Sequence, residues 1–224
     1  EMAFRRHAAV PSLMLDLEGV AAALGLPLSA SQIGVLVRFL SMLERWNATY
    51  NLTAVRDPAR MLTHHVSDCL AVVPPLRRYL GESEGTRLLD VGSGGGLPGV
   101  VLAIADPALE VVCVDAVGKK AAFVRQVAAE LGLPNLTSIH SRVEQMNLDR
   151  YDVITSRAYA TLSDFVQSTR SLLSTNGVWL GMKGKIPRDE MAALPREVDV
   201  FHVEQIVVPG LEAERCLIWM RPPH

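Results

Sequence analysis

Lysine is scarce in this chain. Four lysines stand among 224 residues, at positions 119, 120, 183 and 185. Lys and Arg together number 22 against 24 Asp and Glu, so the formal charge is −2. A protein that grips nucleic acid through its phosphates is often basic overall, because phosphate neutralisation supplies much of the affinity. Any such grip here has to be a local patch. Long apolar runs are also missing: none reaches the ~20 residues needed to cross a bilayer. No stretch near the start reads as a secretory leader, with its apolar block and small-residue cleavage site. Cysteine is limited to Cys69, Cys113 and Cys216, far apart and set among apolar residues. That spacing excludes a CxxC metal or redox motif and points to buried free thiols in a reducing, cytoplasmic setting. His64 and His65 lie beside Asp68 without a third ligand at metal-binding spacing, so no metal is expected.

What is present is a sizeable apolar fraction, 49%, arranged in two successive patterns. Up to residue 80 the periodicity is helical. Leu13, Leu17, Val20 and Leu24 recur on one face. A second run, capped by Ser29 or Ser31, carries Ile33, Leu36, Val37, Leu40, Leu43 and Trp46. A third helix is expected from Asp57-Pro58, fading before Pro74-Pro75. From about residue 86 short apolar strands alternate with helices. The strands read as 87–91, 110–114, 136–140, 151–155 and 178–182; helices are clearest over 119–131 and 162–173. Such alternation predicts a parallel sheet covered on both faces. Residues 200–208 and 215–220 have no helix between them and make an antiparallel hairpin. The expected fold is α/β: a Rossmann-like class I methyltransferase, with a mostly parallel seven-stranded sheet and a C-terminal antiparallel hairpin. It spans residues 81–224 and follows an N-terminal helical extension, residues 1–80.

The densest signal is the segment from Leu88 through Asp90-Val91-Gly92-Ser93-Gly94-Gly95-Gly96-Leu97-Pro98-Gly99. A strand enters a glycine-rich turn and then a helix, which places a ligand at the carboxyl end of the sheet. Gly94-x-Gly96-x-x-Gly99 also satisfies a dinucleotide fingerprint. Three features favour S-adenosylmethionine over a nicotinamide cofactor. Asp90 directly precedes the loop, where it suits a cationic amino group and would repel a pyrophosphate. Pro98 sits at the helix start. The antiparallel tail fits a methyltransferase better than a dehydrogenase.

Other positions carry two readings each. Asp115, at the end of the second strand, is an acceptor for ribose hydroxyls or a cap for the next helix. Val143 and Glu144 border an adenine or simply begin a helix. Arg157 and Tyr159 end the fourth strand, where a methyl acceptor meets its cofactor; the plainer reading is a surface Arg and a half-buried Tyr. Lys119, Lys120, Arg125, Lys183 and Lys185, with Arg142, Arg157 and Arg188, form a basic rim for RNA phosphates or are solvated helix ends.

From about residue 29 onward the chain resembles the bacterial 16S ribosomal RNA guanine-N7 methyltransferases, the methyltransferase G or glucose-inhibited division protein B family. The resemblance is carried by Trp46-Asn47, Tyr50-Asn51-Leu52-Thr53, the His65-to-Asp68 stretch, the loop from Asp90 to Gly99, Ser141-Arg142-Val143-Glu144, Ser156-Arg157-Ala158 and Lys183-Gly184. One departure is Gly95, where the family often has proline; the extra glycine is expected to loosen the loop. The resemblance implies S-adenosylmethionine as cofactor and methyl transfer to N7 of guanine 527 in 16S ribosomal RNA or the small subunit. It implies cofactor contacts at Gly92, Leu97, Val143, Glu144 and Arg157. Guanine N7 bears an in-plane lone pair and no proton, so no general base is needed and alignment carries the catalysis. An unstacked guanine is expected to stack on Tyr159, with Arg157 shaping the junction to the cofactor. Nothing in the sequence calls for more than a monomer.

Overall fold

The computed structural model describes residues 2–147 and 149–223. Helices α1 (Met2–Ala23), α2 (Ala30–Tyr50), α3 (Pro58–Met61), α4 (Asp68–Leu70) and α5 (Val73–Leu80) come first. Then follow β1 (Arg87–Val91), α6 (Gly99–Ala105), β2 (Glu110–Asp115), α7 (Gly118–Glu130), β3 (Leu136–His140), β4 (Tyr151–Ser156) and α8 (Leu162–Thr169). The chain continues through β5 (Leu173–Lys183), α9 (Arg188–Ala192), β6 (Asp199–Ile206) and β7 (Arg215–Arg221).

The seven strands form one sheet in the order β3-β2-β1-β4-β5-β7-β6. Strands β1 to β5 are parallel; β7 pairs antiparallel with both β5 and β6. The order reverses between β1 and β4, which opens a crevice beyond their carboxyl ends. Central strands buried on both faces need continuous apolar runs. Val111-Val112-Cys113-Val114 and Val153-Ile154 supply them, and all are buried.

Ser29, not Ser31, caps α2. Its side chain accepts from the Gln32 backbone while Gln32 returns a bond to Ser29, a complete capping box. The Gln32 amide also donates to the carbonyls of Ile104 and Ala105, closing the last turn of α6. Alongside the expected stripe, Phe39 and Met42 are buried, because α2 packs against α1, α6 and α7 at once.

Two expectations need correction. The third helix does not run unbroken towards Pro74-Pro75. It passes through a π-helical turn, Leu62–Ser67, into α4. The prolines then open a new helix, α5, because a first turn tolerates a residue without an N–H. Strand β5 starts at Leu173 rather than Val178. The helix expected over 162–173 ends at Thr169 instead, and Leu173 pairs with Tyr151 across a bulge, where Gly177 lets the Tyr151 carbonyl approach to a point 2.9 Å from where a Cβ would sit.

Candidate functional site: the carboxyl edge of the sheet

The Asp90–Gly99 loop folds back over the ends of β1 and β2. Gly92 donates to the Val114 carbonyl at 2.8 Å, and Gly94 donates to Asp115 Oδ2 at 2.9 Å. Asp115 Oδ1 accepts from Val117 at 2.8 Å, so this carboxylate braces the glycine loop and the start of α7 together. Asp115 does not cap α7, whose N-cap position is Val117; its carboxylate holds backbone on both sides and also lines a cavity. Gly92 has φ +67°, and a Cβ there would stand 2.8 Å from Ala158 Cβ. A side chain at Gly92 would close the gap between the loop and β4.

That gap is a cavity of about 260 Å³, lined among others by Gly92, Asp115, Arg142, Val143, Glu144 and Tyr159. Val143 is buried and gives the cavity an apolar wall. Tyr159 is half-buried, its ring 5.4 Å from that of Phe165 and its hydroxyl hydrogen-bonded to Ser168 Oγ at 2.8 Å.

Not every residue expected at the site faces this cavity. Asp90 is fully buried beneath the loop, where Oδ2 accepts from Gly99 N–H at 2.7 Å. Burial pushes its carboxyl up to about 7, against the pull of the Gly99 bond and of Arg157. Its Oδ1 is buried and has no hydrogen-bond partner among the described residues. Gly94 and Gly96 shape the turn with positive φ. Leu97 is buried in the core against Gly95.

Arg157 lies on the other side of the β4 terminus. It lines a second cavity, of about 300 Å³, with Asp68, Lys183, Gly184 and Arg215. Neither Arg215 nor Asp68 is among the site residues expected from the sequence. Arg215 opens β7 and nothing local marks it; the signal for Asp68 was its place in the His65-to-Asp68 motif. The same motif supplies His65, whose Nε2 is hydrogen-bonded to Thr53 Oγ1 at 2.7 Å. Burial, with the nearby Arg157 charge, pushes His65 down to about 4. Asn47 completes the set: its side chain accepts from Thr53 N–H and donates to the Val55 carbonyl. The family motifs of the helical segment thus form a brace behind the strand ends.

The basic rim is less uniform than its sequence spacing suggests. Lys183 is paired with Glu190 at 2.8 Å and lies 3.4 Å from the carbonyls of Tyr159 and Ala160, so it secures the loop after β4. Lys119 sits over the Tyr50 ring at 5.2 Å. Arg125 and Lys185 are exposed, and Lys120 is half-buried.

The model of the rRNA small subunit methyltransferase G family, GidB, matches residues 32–218. The chain belongs to this family. A ribosomal RNA small subunit methyltransferase G from Acidovorax sp. (strain JS42) is 58% identical over 207 residues, 89% of this chain and 91% of that protein. Its counterpart from Paracidovorax citrulli (strain AAC00-1) is 54% identical over 224 residues, covering 96% and 92%. Membership of the methyltransferase G family makes the chain an S-adenosylmethionine-dependent rRNA methyltransferase. The fold is shared more widely. TrmN from Thermus thermophilus superposes with a TM-score of 0.54 at 19% identity, over 72% of this chain and 53% of that one. A methyltransferase from Thiobacillus denitrificans, solved with S-adenosyl-L-homocysteine, gives 0.51 at 12% identity, over 67% and 90%.

Proposed function

We propose that the chain transfers the methyl group of S-adenosylmethionine to N7 of guanine 527 in 16S ribosomal RNA, acting in the cytoplasm as a monomer. The observation that carries this reading is the 260 Å³ cavity at the switch point of the sheet, with a carboxylate on one side and an apolar wall on another. These residues fit the cofactor. Asp115 offers acceptors to ribose hydroxyls, and Val143 offers a face to adenine with the Glu144 backbone at its edge. Asp90, buried outside that cavity, serves the cofactor by holding Gly99 at the end of the loop, and Gly92 leaves room for a ligand against β4. The bound cofactor supplies an electrophilic methyl group. We assign residues 1–80 to a helical extension and 81–224 to the transferase domain.

The chain's own task is alignment. N7 attacks through a lone pair and carries no proton, so no side chain has to accept one. This agrees with the low basicity of His65, the buried imidazole behind the site. Tyr159, fixed by Phe165 and Ser168, presents its ring to the flipped guanine. Arg157 forms the junction between the cofactor side and the acceptor side of β4. Lys119, Lys120, Arg125 and Lys185 stand on the rim for RNA phosphates, with Lys183 holding the loop that carries Tyr159. Base stacking on an aromatic is worth ~1–3 kcal/mol; Tyr159→Ala should weaken small-subunit binding by that much while Tyr159→Phe retains it, as read by filter binding.

The direct test is transfer of labelled methyl to small subunits lacking the modification, followed by strand cleavage at 7-methylguanine. Label at the one guanine is expected. Label elsewhere would keep the enzyme class and reject the assigned nucleotide.

A further inference from the structure

Asp68 is 4% exposed and holds two arginines at once. Its Oδ2 accepts from Arg157 Nη1 at 3.1 Å and its Oδ1 from Arg215 Nε at 3.0 Å. One arginine follows β4 and the other opens β7; the carboxylate comes from α4, directly after the π-helical turn. Such a turn shifts the following residues around the helix axis, and π turns recur at functional sites. Both guanidinium groups line the 300 Å³ cavity beside Lys183 and Gly184.

We infer that Asp68 is a positioning residue for methyl transfer: it clamps Arg157 at the acceptor side of the cofactor and ties it to Arg215. The inference rests on the role given to Arg157 above. An arginine has a long, rotatable stem, and ordering it during the reaction costs rate. A buried carboxylate with a separate bond to each arginine fixes both before substrate arrives. The extension then supplies part of the site's geometry without touching the substrate. An ordinary ion pair between helix and sheet would serve stability alone, so the test needs a readout that stability does not move.

Four forms of the full chain decide it: Asp68→Asn, Asp68→Glu, Arg157→Gln, and Asp68→Asn with Arg157→Gln. Each is read for thermal stability, cofactor affinity and single-turnover methyl transfer to small subunits. Asp68→Asn should transfer about 100-fold more slowly with cofactor affinity unchanged, the scale expected for misplacing a catalytic group. Asp68→Glu should recover part of that loss. In the Arg157→Gln background, adding Asp68→Asn should cost less than about threefold, because Asp68 then holds only Arg215 and the arginine whose placement serves transfer is gone. Near-normal transfer by Asp68→Asn, or the same loss in both backgrounds, overturns the clamp. Normal transfer by Arg157→Gln instead overturns the role of Arg157, and the clamp with it. Removing one member of a buried pair leaves a charge uncompensated, so the test covers the case where Asp68→Asn alone does not fold. The doubly substituted chain compared with Arg157→Gln then decides: equal rates support the clamp, and a further loss rejects it.

Discussion

Two buried titratable groups behind the site respond to pH in opposite directions. Asp90 has a folded value of about 7 against 3.8 for an unperturbed carboxyl. Between those values the folded state keeps a proton that the unfolded chain gives up, so its contribution falls as pH rises from about 4 to 7. Asp90→Asn keeps an acceptor for Gly99 and has no proton to lose. Its unfolding free energy relative to wild type should climb between pH 5 and pH 8, by an amount on the order of 1–3 kcal/mol, as read from thermal melts; parallel curves would show that Asp90 is not protonated at the lower pH. His65 works the other way. Its folded value of about 4 lies below the ordinary 6.5, so its stabilising share is present above pH 6.5 and is lost as pH falls towards 4. His65→Gln should therefore blunt the acid side of the stability profile, and thermal melts from pH 7 to pH 4 measure it. Neither group announces its environment in the sequence. Asp90 was legible as the residue before the loop, but its inward direction depends on Gly99 and Cys113 closing over it.

At the scale of elements, the glycine loop was the most legible part of the molecule, since an apolar strand, a run of glycines and a helix start lie within a dozen residues. What the loop packs against was not. Leu43 of α2 stands where a Cβ on Gly95 would come within 2.9 Å, so the position at which the family often has proline is filled from the helical segment. Two substitutions separate the functions of the loop. Gly92→Ala combines a positive φ with a collision at Ala158 and should lower cofactor affinity by at least tenfold, as measured by calorimetry. Gly95→Ala meets only the end of a flexible leucine and should leave that affinity nearly unchanged. β1 was legible to the residue because a short, mostly apolar run bounded by turn formers marks it, and β3 because Leu136 and Ile139 follow the turn-forming Pro134-Asn135. The early start of β5 was hidden by its polar residues, and the prolines of α5 read equally well as an ending or a beginning. Asp68 and Arg215 stand 147 positions apart, and no local pattern connects such a pair.

For the molecule as a whole, the helical segment and the sheet do not have separate interiors. One continuous apolar cluster runs from Leu17, Leu36 and Leu43 through Val100, Phe123 and Leu180 to Trp219. Leu36→Ala should therefore cost about 2–5 kcal/mol and lower a single melting transition, with tryptophan fluorescence and far-ultraviolet circular dichroism falling together. Two resolved transitions would mean that the two segments unfold independently. The order of strands adds a consequence in time. β7 lies between β5 and β6 although it follows both in the chain, and it begins with Arg215. A chain emerging from the ribosome has its glycine loop well before it has β7. Until that strand slots into place, Asp68 has only one of its two arginines, and the outer strand β6 has no partner in the sheet. In an enzyme whose family acts on ribosomal RNA, the edge that joins Asp68 to Arg215 can therefore close only after most of the protein has left the machine that made it.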